Sequence, residues 1–213
     1  MKSKRIAFLG GGNMAEAILG GMLAGDLVLA GNVTAADVSA ERRDWLQKEY
    51  GIDVTADNAE AVRGADVIVL AVKPQQAADA LGSARAALSA EQLLVSICAG
   101  LTTAALEAQV PCRVARVMPN LPAMVCRGVA AVCAGSRAAP GDMDLVERMF
   151  AATGAVVRLS EGRLNEATAL SGSGPGYVFA FMEALEGGAV AMGIPSATAR
   201  TMAVETVRGA AEL

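Results

Sequence analysis

The chain has 213 residues, 54% of them hydrophobic but only 3% aromatic, with a formal net charge of −4 and no histidine. That length suits one large domain, or one domain plus a smaller one, with ample material for a core. The composition leaves no nucleic-acid footprint, no run of about 18 clean apolar residues for a membrane span, and no Ser–His, Cys–His or zinc chemistry. The basic start at Lys2, Lys4 and Arg5 imitates a signal peptide, but its apolar stretch is too short and runs straight into glycines. Cys98, Cys112, Cys126 and Cys133 form no CxxC pair and read as reduced core thiols of a cytoplasmic protein.

In chain order, strands are predicted at 5–9, 32–36, 53–55 (weak and short), 67–71, 93–97 and 113–117. Helices intervene at 13–24, 40–50, 58–63, 75–88 and 102–109. Runs such as VIVLA are apolar without alternation, which suits a parallel sheet covered on both faces. Right-handed crossovers then build a Rossmann-type, doubly wound, mostly parallel sheet. A further strand at 129–133, a helix at 141–153 and a strand at 155–159 extend it at one edge. From Ser160 the pattern changes to helix alone, at 163–170, 174–192 and 196 to the end. The expected division is therefore a dinucleotide-binding domain over 1–159 and a small all-helical dimerisation and substrate domain over 160–213. The last helix is too poor in polar residues to stand alone on a surface and ends without a cap, so this domain reads as incomplete and as buried against a partner chain.

The first turn carries the sharpest signal. Gly10-Gly11-Gly12-Asn13-Met14-Ala15 fits G-x-G-x-x-A between a strand and a helix. Gly10 lets the chain turn out of the strand, Gly12 lets backbone approach a pyrophosphate, and Ala15 allows close helix–strand packing. Free N–H groups of the first helical turn then face the phosphates. A glycine-rich turn with no ligand is the competing reading. After the second strand, Asp37 lies ~27 residues beyond Gly10, somewhat past the usual spacing for an acid on the adenosine ribose. An acid there favours NAD, whereas Arg42 and Arg43 suit the 2′-phosphate of NADP; a plain turn with solvated arginines is equally compatible. Ala71-Val72-Lys73-Pro74 ends the next strand, and Pro74 fixes Lys73 at the ligand edge of the sheet. Cys98-Ala99-Gly100 offers small residues under a flat ring, or an ordinary tight turn. Met118-Pro119-Asn120-Leu121-Pro122 reads as a rigid polar hook. Ser171-Gly172-Ser173-Gly174-Pro175 leads into a helix whose first turn takes Pro175. Its N–H groups and hydroxyls suit a carboxylate or the nicotinamide end of a cofactor, or the run is merely a joint.

Taken together, FLGGGNMAEAI, AVKPQ, RVMPNLPAMV and LSGSGPGYVFAFMEAL resemble pyrroline-5-carboxylate reductase in order and approximate spacing. The resemblance implies reduction of 1-pyrroline-5-carboxylate to L-proline with NADPH or NADH, in a homodimer that assembles further, commonly into decamers. By position, Gly10, Gly11, Gly12, Asn13 and Met14 resemble the pyrophosphate turn, and Asn58 the asparagine on the adenosine part. Ala71, Val72, Lys73 and Pro74, with Cys98, Ala99 and Gly100, resemble the segments around the nicotinamide and its ribose. Ser171, Gly172, Ser173, Gly174 and Pro175 border the reacting centre, with the Ser173 hydroxyl or a water as proton source, and Glu161 matches an acid near the substrate. Two departures stand out. Asp37 occupies a place where many members carry Ser or Thr for the 2′-phosphate, and the family's main substrate segment, a glycine- and threonine-rich loop, belongs beyond Leu213. There are two rival classes. A β-hydroxyacid dehydrogenase needs a lysine that is absent after Asn165, whereas a non-catalytic nucleotide-binding or oligomerisation protein, which folds and binds cofactor without turning over, is an alternative that the missing substrate segment supports.

Overall fold

A computed structural model describes all 213 residues. The first part alternates β1 (Ile6–Leu9), α1 (Asn13–Ala24), β2 (Val33–Ala36), α2 (Ala40–Tyr50), β3 (Asp53–Thr55), α3 (Asn58–Val62), β4 (Val67–Leu70), α4 (Ala77–Ala84), β5 (Leu93–Ser96), α5 (Thr103–Glu107) and β6 (Arg113–Met118). Then come β7 (Gly128–Ala134), α6 (Pro140–Ala151), β8 (Gly154–Arg158) and α7 (Leu164–Ala167). One sheet runs β3-β2-β1-β4-β5-β6-β7-β8. Every pairing is parallel except β6 with β7.

The central strands β1, β4 and β5 are buried on both faces, and β1 shows why their sequences do not alternate. Ile6 and Phe8 enter one core cluster, with Ile18 and Leu19 of α1 and Phe150 of α6. Ala7 and Leu9 enter another, with Leu81 of α4 and Leu106 of α5. A strand whose odd and even side chains both meet helices has no polar face to display. Helix ends follow local chemistry. Ser39 caps α2 by accepting the Arg42 N–H, and Gly51 closes it in the left-handed region. Asp57 caps α3 and Thr102 caps α5.

Several expectations shift in detail. The helix predicted at 75–88 is α4 alone, flanked by 3-10 turns at Pro74–Gln76 and Arg85–Ala87. Beyond α7 the chain widens into a π turn at Thr168–Gly172; the Thr168 hydroxyl donates to the Leu164 carbonyl at 2.7 Å, competing with the regular ladder. The proline-rich hook folds into a 3-10 turn at Leu121–Val125. Its Asn120 is buried, and the Asn120 Oδ1 accepts the Val129 N–H at 2.8 Å, pinning the reversal between β6 and β7. Cys126 is a correction: it ends that turn with φ 55 and is exposed, whereas Cys98, Cys112 and Cys133 are buried thiols.

The chain forms two compact units, Met1–Thr168 and Ala169–Leu213. Residues 160–168 join the sheet because Leu164 is fully buried against Ala131 and Cys133 of β7. The second unit pairs α8 (Gly174–Ala191) with α9 (Ser196–Glu212). Gly193, at φ +95, breaks the helix between them, and Glu186 holds Arg200 and the Ser196 hydroxyl across the pair. Within this unit Tyr177, Phe179 and Phe181 are each more than half exposed along α8. No helix is long and apolar enough to cross a membrane.

Candidate functional site

In an open parallel sheet the ligand crevice lies at the carboxyl ends of the strands, where strand order reverses. Here β1 pairs with β2 on one side and β4 on the other, so the reversal falls between β1 and β4. A cleft of about 590 Å³ opens there, lined by Gly10 and Gly12 after β1, Asp37 after β2, Asn58 at the start of α3, and Ala71, Val72 and Lys73 after β4.

Two glycines build the turn for different reasons. Gly10 has φ +94, and a Cβ on it would lie 2.8 Å from the Ala71 carbonyl oxygen. The loops after β1 and β4 can therefore meet only through a residue without a side chain. Gly12 has ordinary backbone, at φ −68 and ψ −179, and a Cβ there would meet nothing within 4 Å. Nothing in the protein itself requires a glycine at this position. With no side chain and open space around it, Gly12 leaves its backbone accessible to a group approaching closely from outside the chain.

Gly12 is also the N-cap of α1, and no side chain caps that helix end. The first intrahelical bond runs from the Glu16 N–H to the Gly12 carbonyl. The N–H groups of Asn13, Met14 and Ala15 lie ahead of it, where a helix has no partners of its own. An uncapped end beside an open glycine, at the sheet's ligand edge, fits an anion such as a pyrophosphate.

Asp37 lines the cleft but is occupied. Its Oδ2 accepts the Gly11 N–H at 2.8 Å and its Oδ1 accepts the Ser39 N–H at 2.9 Å. It is thus both the acid at the end of β2 and the start of a turn. Neither arginine lines the cleft. Arg43 Nη1 donates to the carbonyls of Asp37, at 2.7 Å, and Val38, at 3.1 Å. Arg42 lies behind the glycine turn, bonded to the Gly11 carbonyl and Glu16 and stacked 4.7 Å over Trp45. Asn58 donates to the Ser83 hydroxyl at 2.9 Å, across the cleft wall.

Some expected residues have partners within the fold. The Cys98 side chain turns inward, its thiol reaching the Val72 carbonyl at 3.2 Å, and burial raises its pKa. The thiol therefore holds the β4 and β5 loop ends together, while Ala99 and Gly100 stay exposed after β5. Glu161 is not an open ligand. The Thr103 N–H and hydroxyl donate to its two oxygens at 2.6 and 2.7 Å, and the buried Arg116 guanidinium stands 3.4 Å away. It anchors the start of α5 to β6. Ser171 and Gly172 lie in the π turn of the second unit, and Ser173, exposed, precedes α8, whose first turn holds Gly174 and Pro175. Sequence reading missed Gln76, Asp79, Ala80 and Ser83, which also line the cleft. Their i, i+3, i+4, i+7 spacing puts them on one helix face and was the available signal.

Glu161 gives a pH prediction. Burial raises its carboxyl, but the Thr103 bonds and Arg116 outweigh that and hold it below the ordinary range. A depressed carboxylate stabilises the fold above its unfolded pKa of about 4.3, and that contribution is lost as pH falls through the lower folded value. Glu161→Gln is expected to lower stability at pH 7 by about 1–3 kcal/mol, since Arg116 loses its charged partner. It is also expected to flatten the acid limb of a stability profile between about pH 5 and pH 2. An unchanged acid limb in denaturant titrations would contradict this assignment.

The sheet, its reversal point and the uncapped glycine turn define a Rossmann-type dinucleotide-binding protein. Residues 5–100 match the family described as NADP oxidoreductase coenzyme F420-dependent, and residues 161–213 the family described as pyrroline-5-carboxylate reductase dimerisation. The chain is 36% identical to pyrroline-5-carboxylate reductase of Methanosarcina acetivorans, covering 100% of this chain and 80% of that protein. It is 39% identical to that of Pseudomonas aeruginosa, over 100% and 79%. Among solved structures, pyrroline-5-carboxylate reductase from Coxiella burnetii superposes with TM-score 0.94 at 34% identity, over 99% of this chain and 79% of that one. Plasmodium falciparum pyrroline carboxylate reductase, solved with NADP bound, gives 0.88 at 29%, over 100% and 79%. The chain belongs to the pyrroline-5-carboxylate reductase family.

Proposed function

We propose that the protein reduces 1-pyrroline-5-carboxylate to L-proline, the last step of proline biosynthesis, using NADPH or NADH. The observation that carries this reading is Gly12, a glycine that the fold does not need, at an uncapped helix end in the switch-point cleft. When bound, the reduced nicotinamide supplies a hydride to the imine carbon, and a proton completes the amine.

The chain's own part is placement. N–H groups of Gly12, Asn13 and Met14 hold the pyrophosphate, and Gly10 and Gly11 shape the turn that presents them. Asp37 and Asn58 face the adenosine end, while Ala71, Val72, Lys73 and Pro74, with the backbone of Ala99 and Gly100, face the nicotinamide end. By the same reading Ser171, Gly172, Ser173, Gly174 and Pro175 serve the substrate, with the Ser173 hydroxyl or a water supplying the proton on the imine nitrogen. A protonated imine is already electrophilic, so holding it in near-attack geometry supplies most of the acceleration, and no protein nucleophile is called for. The exposed aromatic residues of α8 support a homodimer; assembly into decamers and a cytoplasmic location belong to the same proposal.

The test mixes the protein with NADPH or NADH and pyrroline-5-carboxylate and follows the reduced-nicotinamide absorbance. The expected result is a loss of absorbance that needs both reactants. Failure to bind either nucleotide would overturn the reading.

A further inference from the structure

Gly11 is the one buried member of the glycine run, and both of its backbone polar groups are held by side chains from the β2–α2 segment. Its N–H donates to Asp37 Oδ2 at 2.8 Å, and its carbonyl accepts from Arg42 Nε. The rest of the Arg42 guanidinium is fixed as well. Its Nη2 is paired with Glu16 of α1, and its face lies 4.7 Å from the centre of the Trp45 ring. Trp45 in turn meets Tyr50 edge-on at 5.6 Å, and the Tyr50 hydroxyl donates to the other oxygen of Glu16 at 3.3 Å. Arg42 and Glu16 are each about three-quarters buried. The cation is therefore locked by two hydrogen bonds and a ring on the protein side of the turn.

A planar trans peptide points its C=O and the following N–H in opposite directions. Holding the Gly11 carbonyl toward Arg42 aims the Gly12 N–H the other way, to the side where Gly12 lines the cleft. A charged donor on that carbonyl also polarises the peptide and strengthens the N–H as a donor. We infer that Arg42 is a positioning residue for the dinucleotide: by holding the Gly11 carbonyl it presents the Gly12 N–H to the pyrophosphate, and it does not bind the 2′-phosphate. The inference rests on the dinucleotide reading of the cleft. It departs from one of the three readings the sequence leaves open, in which Arg42 or Arg43 pairs with the 2′-phosphate of NADP.

The test measures affinities for NADPH and NADH by calorimetry in the wild type and in Arg42→Met, which keeps a long unbranched side chain beside Trp45 and removes every donor. Both affinities are expected to fall by the same factor of about ten, the loss of one charge-assisted hydrogen bond, leaving their ratio unchanged. Arg42→Lys restores a cation, with its donors confined to one nitrogen. It is expected to recover part of the loss for both nucleotides alike, a rescue that a general fault in α2 would not show. If Arg42→Met does not fold, Arg42→Lys is read in its place, again with an equal loss for both nucleotides. Weakening confined to NADPH, or no weakening in a folded variant, would overturn the positioning role while leaving the dinucleotide site intact. A wild type that binds neither nucleotide would instead remove the dinucleotide reading and this inference together.

Discussion

Gly12→Val is expected to weaken dinucleotide binding by at least a factor of about 100, equivalent to roughly 2.7 kcal/mol, while the protein stays folded. The two halves of that result have separate causes. A Cβ at Gly12 meets no protein atom within 4 Å and the backbone is extended, so valine fits the ligand-free chain without strain. Valine is a poorer N-cap than glycine, but it also restricts the unfolded chain, and the net change in stability stays within about 1 kcal/mol. In the complex its methyl groups stand where a pyrophosphate has to come close to the backbone. Calorimetric titration and a thermal melt read the two halves independently. Wild-type affinity in the variant would show that nothing approaches this position.

Two positions earlier the expectation inverts. Gly10→Ala is expected to destabilise the fold itself by about 3–5 kcal/mol, the sum of a left-handed backbone for a residue with a side chain and an overpacked contact. A fall in melting temperature of roughly 10 °C follows for a chain of this size. A Cβ there would lie 2.8 Å from the Ala71 carbonyl oxygen, and that main chain, held at the end of β4 by the Ala71 N–H donating to the Leu9 carbonyl at 2.8 Å, cannot swing aside as a flexible side chain can. Because Ala71 begins the segment lining the other wall of the cleft, nucleotide affinity should fall as well. A melt within about 2 °C of wild type would contradict the tight meeting of these two loops.

Much of the fold was legible because the central strands are buried on both sides. A strand such as VIVL carries its apolar run whatever its neighbours, and glycine, proline and serine mark the ends of most helices. Bounds of α1, α2 and β3 coincide with their sequence expectation to the residue. What could not be read was the use made of polar side chains. Nothing in the spacing tells whether Arg42 reaches forward to a phosphate or back to the Gly11 carbonyl; that depends on Glu16 and Trp45 lying beside it, one on another helix. The pairing of Glu161 was unreadable for the same reason, since its partners Thr103 and Arg116 are distant in sequence. Cys126 was assigned to the core on its apolar neighbours, yet a 3-10 turn carries it to the surface.

The central claim concerns where the diphosphate sits, and backbone amide NMR during titration with NADPH addresses it directly. The largest shifts are expected at the Gly12, Asn13 and Met14 amides, with smaller ones at Lys73 on the opposite wall. Saturable binding that leaves those three amides unmoved would contradict the account.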